Sequence, residues 1–340
     1  MKKSYLLRAA ICFSFFVGIL SSDKVLAQRE ISTGIEEIVV TAQKREENLQ
    51  DVPASVSAMD AAALEKAFAR DLMDVAGISP NLIIDPVLGN GTAAISIRGM
   101  QMSDVEKSFD PAVAVYQDGI YLATSTGALL NVWDAERVEV LRGPQGTMFG
   151  RNTIGGLVHV IRAKPTGELG GKINFNISED DQEDIKALIN LPAMLNGTLA
   201  TKISAMSISG GGYFNNPTRG TSEGDADVEA YSLSALWNPT DNLQVHLIYD
   251  DINDQSNVRP TTCFNGVGDL FPAVGQPRSE CNQAISSFHY NTFHSTEMTA
   301  SVEVEALTLN IEYDINENNK LVVVYGSREM EETSLQEFDN

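Results

Sequence analysis

The chain has 340 residues, 24 Lys and Arg against 46 Asp and Glu, a formal charge of -22, 43% hydrophobic residues and three cysteines. Such a charge excludes a nucleic-acid binder, which needs a basic stripe to displace counterions from phosphates, and the apolar content excludes a wholly disordered chain. A single apolar stretch excludes a bundle of membrane helices but not a membrane β-barrel, whose strands bury alternate residues only.

In chain order, Lys2, Lys3 and Arg8 precede an apolar run over residues 9–20, and Val25-Leu26-Ala27 ends in a small residue. That pattern reads as a secretory signal, residues 1–27, cleaved before Gln28. The run is about 12 residues long against the ~20 of a membrane helix, so it is read as an export signal and not an anchor. Cys12 leaves with it, and the exported chain is more acidic than the whole. Within 28–50, Glu36 to Ala42 sets β-branched residues between charges and reads as an extended segment outside any core. Gln43 to Gln50 lacks apolar periodicity and reads as a flexible linker.

Residues 51–165 read as a compact α+β domain. Asp60 caps a predicted helix over 61–70, and a second helix over 71–76 is stopped by Gly77 and Pro80. Ile95-Ser96-Ile97, Val113 to Tyr116 and Val138 to Leu141 read as strands, with Asp118-Gly119 as a turn.

From 166 to 340 the pattern becomes strict alternation. Ile173, Phe175 and Ile177, then Tyr231, Leu233, Ala235 and Trp237, then Leu243, Val245, Leu247 and Tyr249, each alternate with mainly polar neighbours. The predicted strands run about 9 to 12 residues, enough to cross a bilayer when tilted. Short turns such as Asn196-Gly197 alternate with long connections, notably 254–296. A soluble sandwich alternates as well, but the asymmetry of turn and loop favours an antiparallel transmembrane β-barrel.

Several motifs together resemble the TonB-dependent outer-membrane receptors. Glu37-Ile38-Val39-Val40-Thr41-Ala42 is similar to the TonB box of that family, and Asn48 to Pro53 to the entry of its plug domain. Arg98-Gly99 and Asp118-Gly119 resemble plug elements, as does the run Arg137, Glu139, Arg142, Gly143, Pro144, Gly146 and Gly150 with Asn152, Gly155 and Gly156. The resemblance implies an α+β plug followed by barrel strands, and uptake energised by the periplasmic domain of TonB with its inner-membrane complex. It also implies an outer-membrane location in contact with lipid. The implied ligand is most commonly a ferric siderophore, with cobalamin, haem or a glycan as alternatives; no cofactor is implied.

Physical chemistry accounts for these motifs in its own terms. A short Ile/Val segment on a tether adds to a partner's sheet edge through main-chain hydrogen bonds. Arg98, Arg137 and Arg142 suit carboxylates, either on a barrel wall or within the domain at Glu136 or Glu139. Cys263 and Cys281 read as a disulfide in an exposed loop, and a closed loop of about 18 residues contributes on the order of 3 kcal/mol. His289 and His294 lack further ligands for a metal, His246 falls on an inward face, and no nucleophile–base or metal constellation of an enzyme is visible.

About seven strands are expected after 165, too few to surround a plug of about 115 residues. The expectation is therefore an incomplete barrel, from a fragment or a truncated reading frame of a longer receptor. The alternative is a non-transporting, plug-like binding protein of the periplasm.

Overall fold

The computed structural model describes residues 39–41, 44–45, 47–67, 69, 71–86, 93–101, 110–124, 134–178, 181–258, 292 and 295–335. The expected signal sequence, Glu37, Ile38, Ala42, Cys263, Cys281, His289 and His294 lie outside them.

The N-terminal half is built on a five-stranded sheet in the order β3-β8-β9-β6-β7. Its strands are β3 (Val56–Asp60), β6 (Val113–Gln117), β7 (Ile120–Leu122), β8 (Ala135–Arg142) and β9 (Gly156–Arg162). A parallel β6–β9 pair joins otherwise antiparallel neighbours. A second, two-stranded sheet pairs β4 (Leu82–Pro86) with β5 (Ala93–Ile97).

Two short helices cover one face of the main sheet. Helix α1 (Ala61–Lys66) starts where Asp60 Oδ1 accepts the Ala63 N–H at 2.7 Å, and α2 (Leu72–Ala76) where Asp71 Oδ1 accepts the Met73 N–H at 2.8 Å. Each side chain satisfies a backbone donor that the first turn leaves without a partner. Helix α1 is shorter than the expected 61–70, because the Ala69 N–H reaches back to the Leu64 carbonyl and closes the last turn. Leu64, Leu72 and Val75 pack with Val113, Val138, Val140, Val158 and Val160 into the larger core.

The opposite face carries a smaller core of Val40, Val52, Ala114, Tyr116, Leu141 and Leu157. Here the structure corrects an expectation. The segment around Val39 was expected to stand outside any core, yet Val40 is fully buried, and β1 (Val39–Val40) pairs antiparallel with β2 (Glu47–Asn48) inside the expected flexible linker. Its apolar side chain has a sheet face to bury against, and that burial outweighs the charges around it.

The C-terminal half is a seven-stranded antiparallel meander. It runs β10 (Gly170–Ile177), β11 (Glu183–Met194), β12 (Leu199–Gly210), β15 (Ala226–Thr240), β16 (Leu243–Asp254), β17 (Thr299–Asn316) and β18 (Asn319–Leu335). A separate hairpin, β13 (Phe214–Asn216) with β14 (Thr221–Glu223), rises from the β12–β15 connection and was not expected from sequence.

The burial of this sheet is inverted relative to a soluble protein. Ile173, Phe175, Tyr231 and Leu233 are 50–60% exposed, whereas Lys186, Lys202, Ser234, His246 and Asp250 are buried against the plug side. A soluble sandwich buries its apolar face. This sheet turns that face outward and lines its inside with polar groups, as a lipid-facing barrel wall does. Among the described residues no helix is long and apolar enough to cross a membrane.

Candidate functional site

Two clusters carry the groups of interest: the docked segment around Val40, and the contact between plug and wall. The first is organised by β8 and β9. In antiparallel register Glu139 lies opposite His159 and Leu141 opposite Leu157, while the parallel β6 strand places Tyr116 beside His159 and Ala114 beside Leu157. Alternate residues of a strand share a face. One face therefore shows an apolar row, Leu141, Leu157 and Ala114, next to a polar row, Glu139, His159 and Tyr116.

Val40 packs on the apolar row and Thr41 binds the polar one. The Thr41 N–H donates to Glu139 Oε1 at 2.8 Å, and Thr41 Oγ1 donates to the same oxygen at 3.1 Å. Val39 is 41% exposed at the other side of β1. Lys44 Nζ lies 5.5 Å from the Phe149 ring centroid, at cation–π distance.

The three arginines expected at the wall or within the domain all resolve within it. Arg137 donates from Nε to Glu139 Oε1 at 2.9 Å and pairs with Glu136. Arg98 Nη2 donates to Ser55 Oγ at 3.1 Å, and Arg142 Nη1 to the Pro80 carbonyl at 3.4 Å. Arg98 and Gly99 form a tight turn after β5, with φ of 54° and 76°.

The glycine-rich run folds into a turn and a short helix. Gly143, in a left-handed conformation, donates its N–H to the Gly155 carbonyl; Pro144 follows, and helix α3 (Gly146–Phe149) ends at Gly150. Asn152 Nδ2 donates to Asp110 Oδ1 at 2.9 Å and to Tyr121 Oη at 2.7 Å. Gly156 pairs with Arg142 on one side and with Val113 on the other, and a Cβ there would lie 2.1 Å from the Leu141 carbonyl oxygen.

The wall contact centres on the Asp118-Gly119 turn between β6 and β7. Both residues take positive φ, 48° and 86°, as a two-residue hairpin turn of type I′ requires. Arg162, at the end of β9, donates from Nε to Asp118 Oδ2 and from Nη1 to Asp250 Oδ1 on β16, each at 2.6 Å. One guanidinium thus bridges the plug and the wall. Asn310 of β17 donates to the Asp118 carbonyl at 3.3 Å, and Ile120 fills the space left by Gly326 of β18. Lys202 of β12 pairs with Asp134 at 2.6 Å, just before β8.

Sequence reasoning missed Arg162, Asp250, Lys202 and Asp134. A usable signal existed: lysine, aspartate and histidine at inward positions of otherwise alternating strands are dear to bury without plug partners.

The electrostatics follow from burial and pairing. Burial opposes the ionised form of Asp118, but the adjacent Arg162 more than offsets this and holds the carboxyl below its ordinary 3.8. Burial raises Asp134 in spite of Lys202. Burial lowers His159 from its ordinary 6.5; its Nε2 accepts the Gly119 N–H at 3.0 Å, and its Nδ1 has no partner. A lowered folded value means that His159 contributes stability present above 6.5 and lost as pH falls through the folded value. We expect thermal unfolding of the chain in detergent to shift down between pH 7 and 5, and His159→Gln to flatten that slope. An unchanged slope would refute the assignment. Among the described residues, no group of three or more His, Cys, Asp or Glu is placed to hold a metal ion.

Comparison with known proteins agrees with this geometry. The model of the TonB-dependent receptor plug domain matches residues 48–157. The iron-regulated outer membrane virulence protein of Vibrio cholerae is 29% identical over 172 residues, covering 49% of this chain and 26% of that protein. The pesticin receptor of Yersinia pestis is 30% identical over 131 residues, covering 38% and 19%. Among solved structures, the ferric yersiniabactin uptake receptor FyuA from Yersinia pestis superposes with a TM-score of 0.69 at 19% identity, covering 83% of this chain and 41% of that one. The siderophore receptor PiuA from Acinetobacter baumannii gives 0.68 at 15% identity, covering 88% and 39%. The chain thus spans well under half the length of these relatives. Residues 48–157 form a TonB-dependent receptor plug domain, and the outward-apolar antiparallel sheet that follows shares the fold of the solved outer-membrane receptors.

Proposed function

We propose that the chain serves in the outer membrane of a Gram-negative cell as part of a receptor for TonB-energised uptake, with a ferric siderophore as ligand. Residues 1–27 act as the export signal, 28–50 hold the TonB box and its linker, 51–165 form the plug, and 166–340 form part of the barrel. The observation that carries this reading is the inverted sheet. Its apolar face is exposed, and its polar face holds the plug through Arg162, Asp250, Lys202 and Asp134. A plug seated on a lipid-facing wall is the arrangement of a gated pore, and the protein moves a ligand without transforming it. The siderophore assignment is supported by relatives and structural neighbours whose names refer to iron or siderophores. A vitamin B12 transporter from Vibrio vulnificus, 27% identical over 171 residues, keeps cobalamin as the competing ligand.

The coupling role rests on residues 37–42 as the TonB box. Val39→Pro removes a backbone donor from that strand. Cells relying on the receptor should lose energy-dependent ferric siderophore uptake at least tenfold while still binding ligand at the surface; undiminished uptake would refute the box. The exposed apolar belt disfavours a soluble periplasmic binding protein, since patches of that extent mark a membrane or partner surface. Fractionation should therefore place the chain with outer-membrane lipid.

A further inference from the structure

The outward face of the wall changes character from one rung to the next. Leu233 of β15 stands opposite Tyr249 of β16, and Tyr249 opposite Leu307 of β17; all three are exposed and close the apolar belt. One rung on, Tyr231 stands opposite Asp251, Asp251 opposite Glu305, and Glu305 opposite Glu329 of β18. The rung after that sets Glu229, Asn253, Glu303 and Glu331 side by side. Residues two apart on a strand share a face, so both rungs continue the belt, and their six acidic residues are exposed.

Both rungs lie toward the end of the sheet that carries the long connections 211–225 and 255–298, away from the short turns at 241–242 and 317–318. In a membrane barrel the long connections face outside. The rungs therefore sit where the belt meets the headgroups of the outer leaflet, with Tyr231 and Tyr249 at the boundary as interfacial tyrosines.

Their charge is uncompensated. Side chains directly opposite have Cβ atoms about 5 Å apart, and successive rungs are about 7 Å apart along a strand. Both spacings fall within the ~8 Å screening length of physiological salt, so the carboxylates repel one another at a lipid surface. Among the described residues none of the six takes part in an ion pair, and neither rung contains Lys, Arg or His. Asn253, between Glu229 and Glu303, has a buried Oδ1 without a hydrogen-bond partner. A row of acceptors with no donor calls for a cation. Among the described residues no three acidic side chains converge to complete a metal site by themselves. A hard divalent cation takes about six to eight oxygens, and an opposed pair such as Glu305 and Glu329 supplies four at most, which leaves positions open toward the lipid. An ammonium headgroup would answer only one charge of such a pair.

We infer that these two rungs hold divalent cations that bridge the wall to a phosphate-bearing lipid of the outer leaflet. Glu303, Glu305, Glu329 and Glu331 supply the protein's oxygens, with Asn253 Oδ1 as a neutral acceptor beside them, and lipid phosphate completes the shell. This inference rests on the reading of the chain as an outer-membrane wall. The cation cancels the repulsion between β17 and β18, so lipid and sheet stabilise one another.

The test uses the full chain in zwitterionic detergent, with lipid A as the phosphate-bearing probe. Lipid A retained through gel filtration is measured in calcium and in EDTA, and thermal melting is followed in both. The wild type should retain lipid A in calcium and lose about tenfold of it in EDTA. Two double variants, Glu303→Gln with Glu305→Gln and Glu329→Gln with Glu331→Gln, each remove one side of both rungs. Both should lose retention about tenfold in calcium, yet melt above the wild type in EDTA because the opposed charges are gone. That higher melting also shows that they fold. Asp314→Asn, which alters an exposed carboxylate at the short-turn end, should retain lipid A as the wild type does. Retention that survives EDTA, or equal retention in the wild type and both double variants, would overturn the inference. Calcium stabilisation without retained lipid A would reduce the rungs to an ion site and overturn the bridge. In each of these cases the lipid-facing reading stands if the chain still inserts into phosphatidylcholine vesicles; failure to insert there would overturn that reading, and the bridge with it.

Discussion

Gly156→Ala is expected to unfold the plug. The added Cβ would sit 2.1 Å from the Leu141 carbonyl oxygen and 3.0 Å from Ile97 Cδ1, at a backbone φ of +139°. Neither neighbour yields easily. The carbonyl belongs to β8, an interior strand of the sheet, and Ile97 is fully buried in the core. Combining the strain of a left-handed conformation with overpacking, the penalty is about 2–5 kcal/mol. That is comparable with the whole stability of many domains, ~5–15 kcal/mol. Gly146→Ala makes a matched control, because its Cβ would meet nothing within 4 Å and its φ is not left-handed. Limited proteolysis in detergent should cut the plug of the Gly156 variant rapidly and that of the Gly146 variant at the wild-type rate. Equal resistance in the two would contradict the packing described for Gly156.

Arg162→Met should be nearly as damaging, through electrostatics. The substitution leaves Asp118 and Asp250 buried without the cation that both address. Breaking a buried ion pair by removing one partner costs about 3–5 kcal/mol. Adding Asp250→Asn and Asp118→Asn to the Met variant removes the stranded charges and should restore part of the loss, which separates charge from packing. The wild-type clamp also has a defined acid limit. Asp118 is held below 3.8, so its contribution is present above that value and is lost as pH falls through the lower folded value. Heat-modifiability on gels, measured between pH 7 and 3, should show the Met variant weaker than the wild type throughout, with the gap between the two closing only in strongly acid conditions.

Much of the fold was legible because local and long-range signals agreed. Asp60 caps the helix expected of it, the second expected helix forms over Leu72–Ala76 with Asp71 as its cap, and Asp118-Gly119 forms the expected turn. The alternation after Pro165 yields a seven-stranded sheet with its apolar residues outward, and His246 lies on the inward face. The legible features depend on neighbours in sequence, where cap, turn and period-two rules apply.

The features that were not legible depend on distant neighbours. Arg162 and Asp250 are 88 positions apart, and Lys202 and Asp134 are 68 apart. No local pattern distinguishes an arginine at the end of a strand from one that bridges two domains. Arg98, Arg137 and Arg142 stood in a recognisable motif that suited carboxylates either on the wall or within the plug, and their described partners lie within the plug, Glu136 and Glu139 for Arg137 among them. Val40 is a similar case. Its local sequence is charged and short, and only the sheet face of Leu141, Leu157 and Ala114 explains why it is buried.

The order of strands in the plug sheet also determines how the domain meets mechanical load. β3, the first strand after the docked segment, is one edge of the sheet, and β7 is the other. The buried anchors to the wall lie at the β6–β7 turn, at the end of β9 and just before β8, through Asp118, Ile120, Arg162 and Asp134. A tension applied from the N-terminal side would enter at β3, where the following helix meets the wall through the exposed Glu65–Lys172 pair at 3.2 Å, before it reaches the buried Asp134–Lys202 pair at the start of β8 and the Arg162 bridge at the end of β9. Such a sheet would part first at β3, where its ties to the wall are exposed, while the buried bridges keep the strands from β8 to β7 seated on the wall.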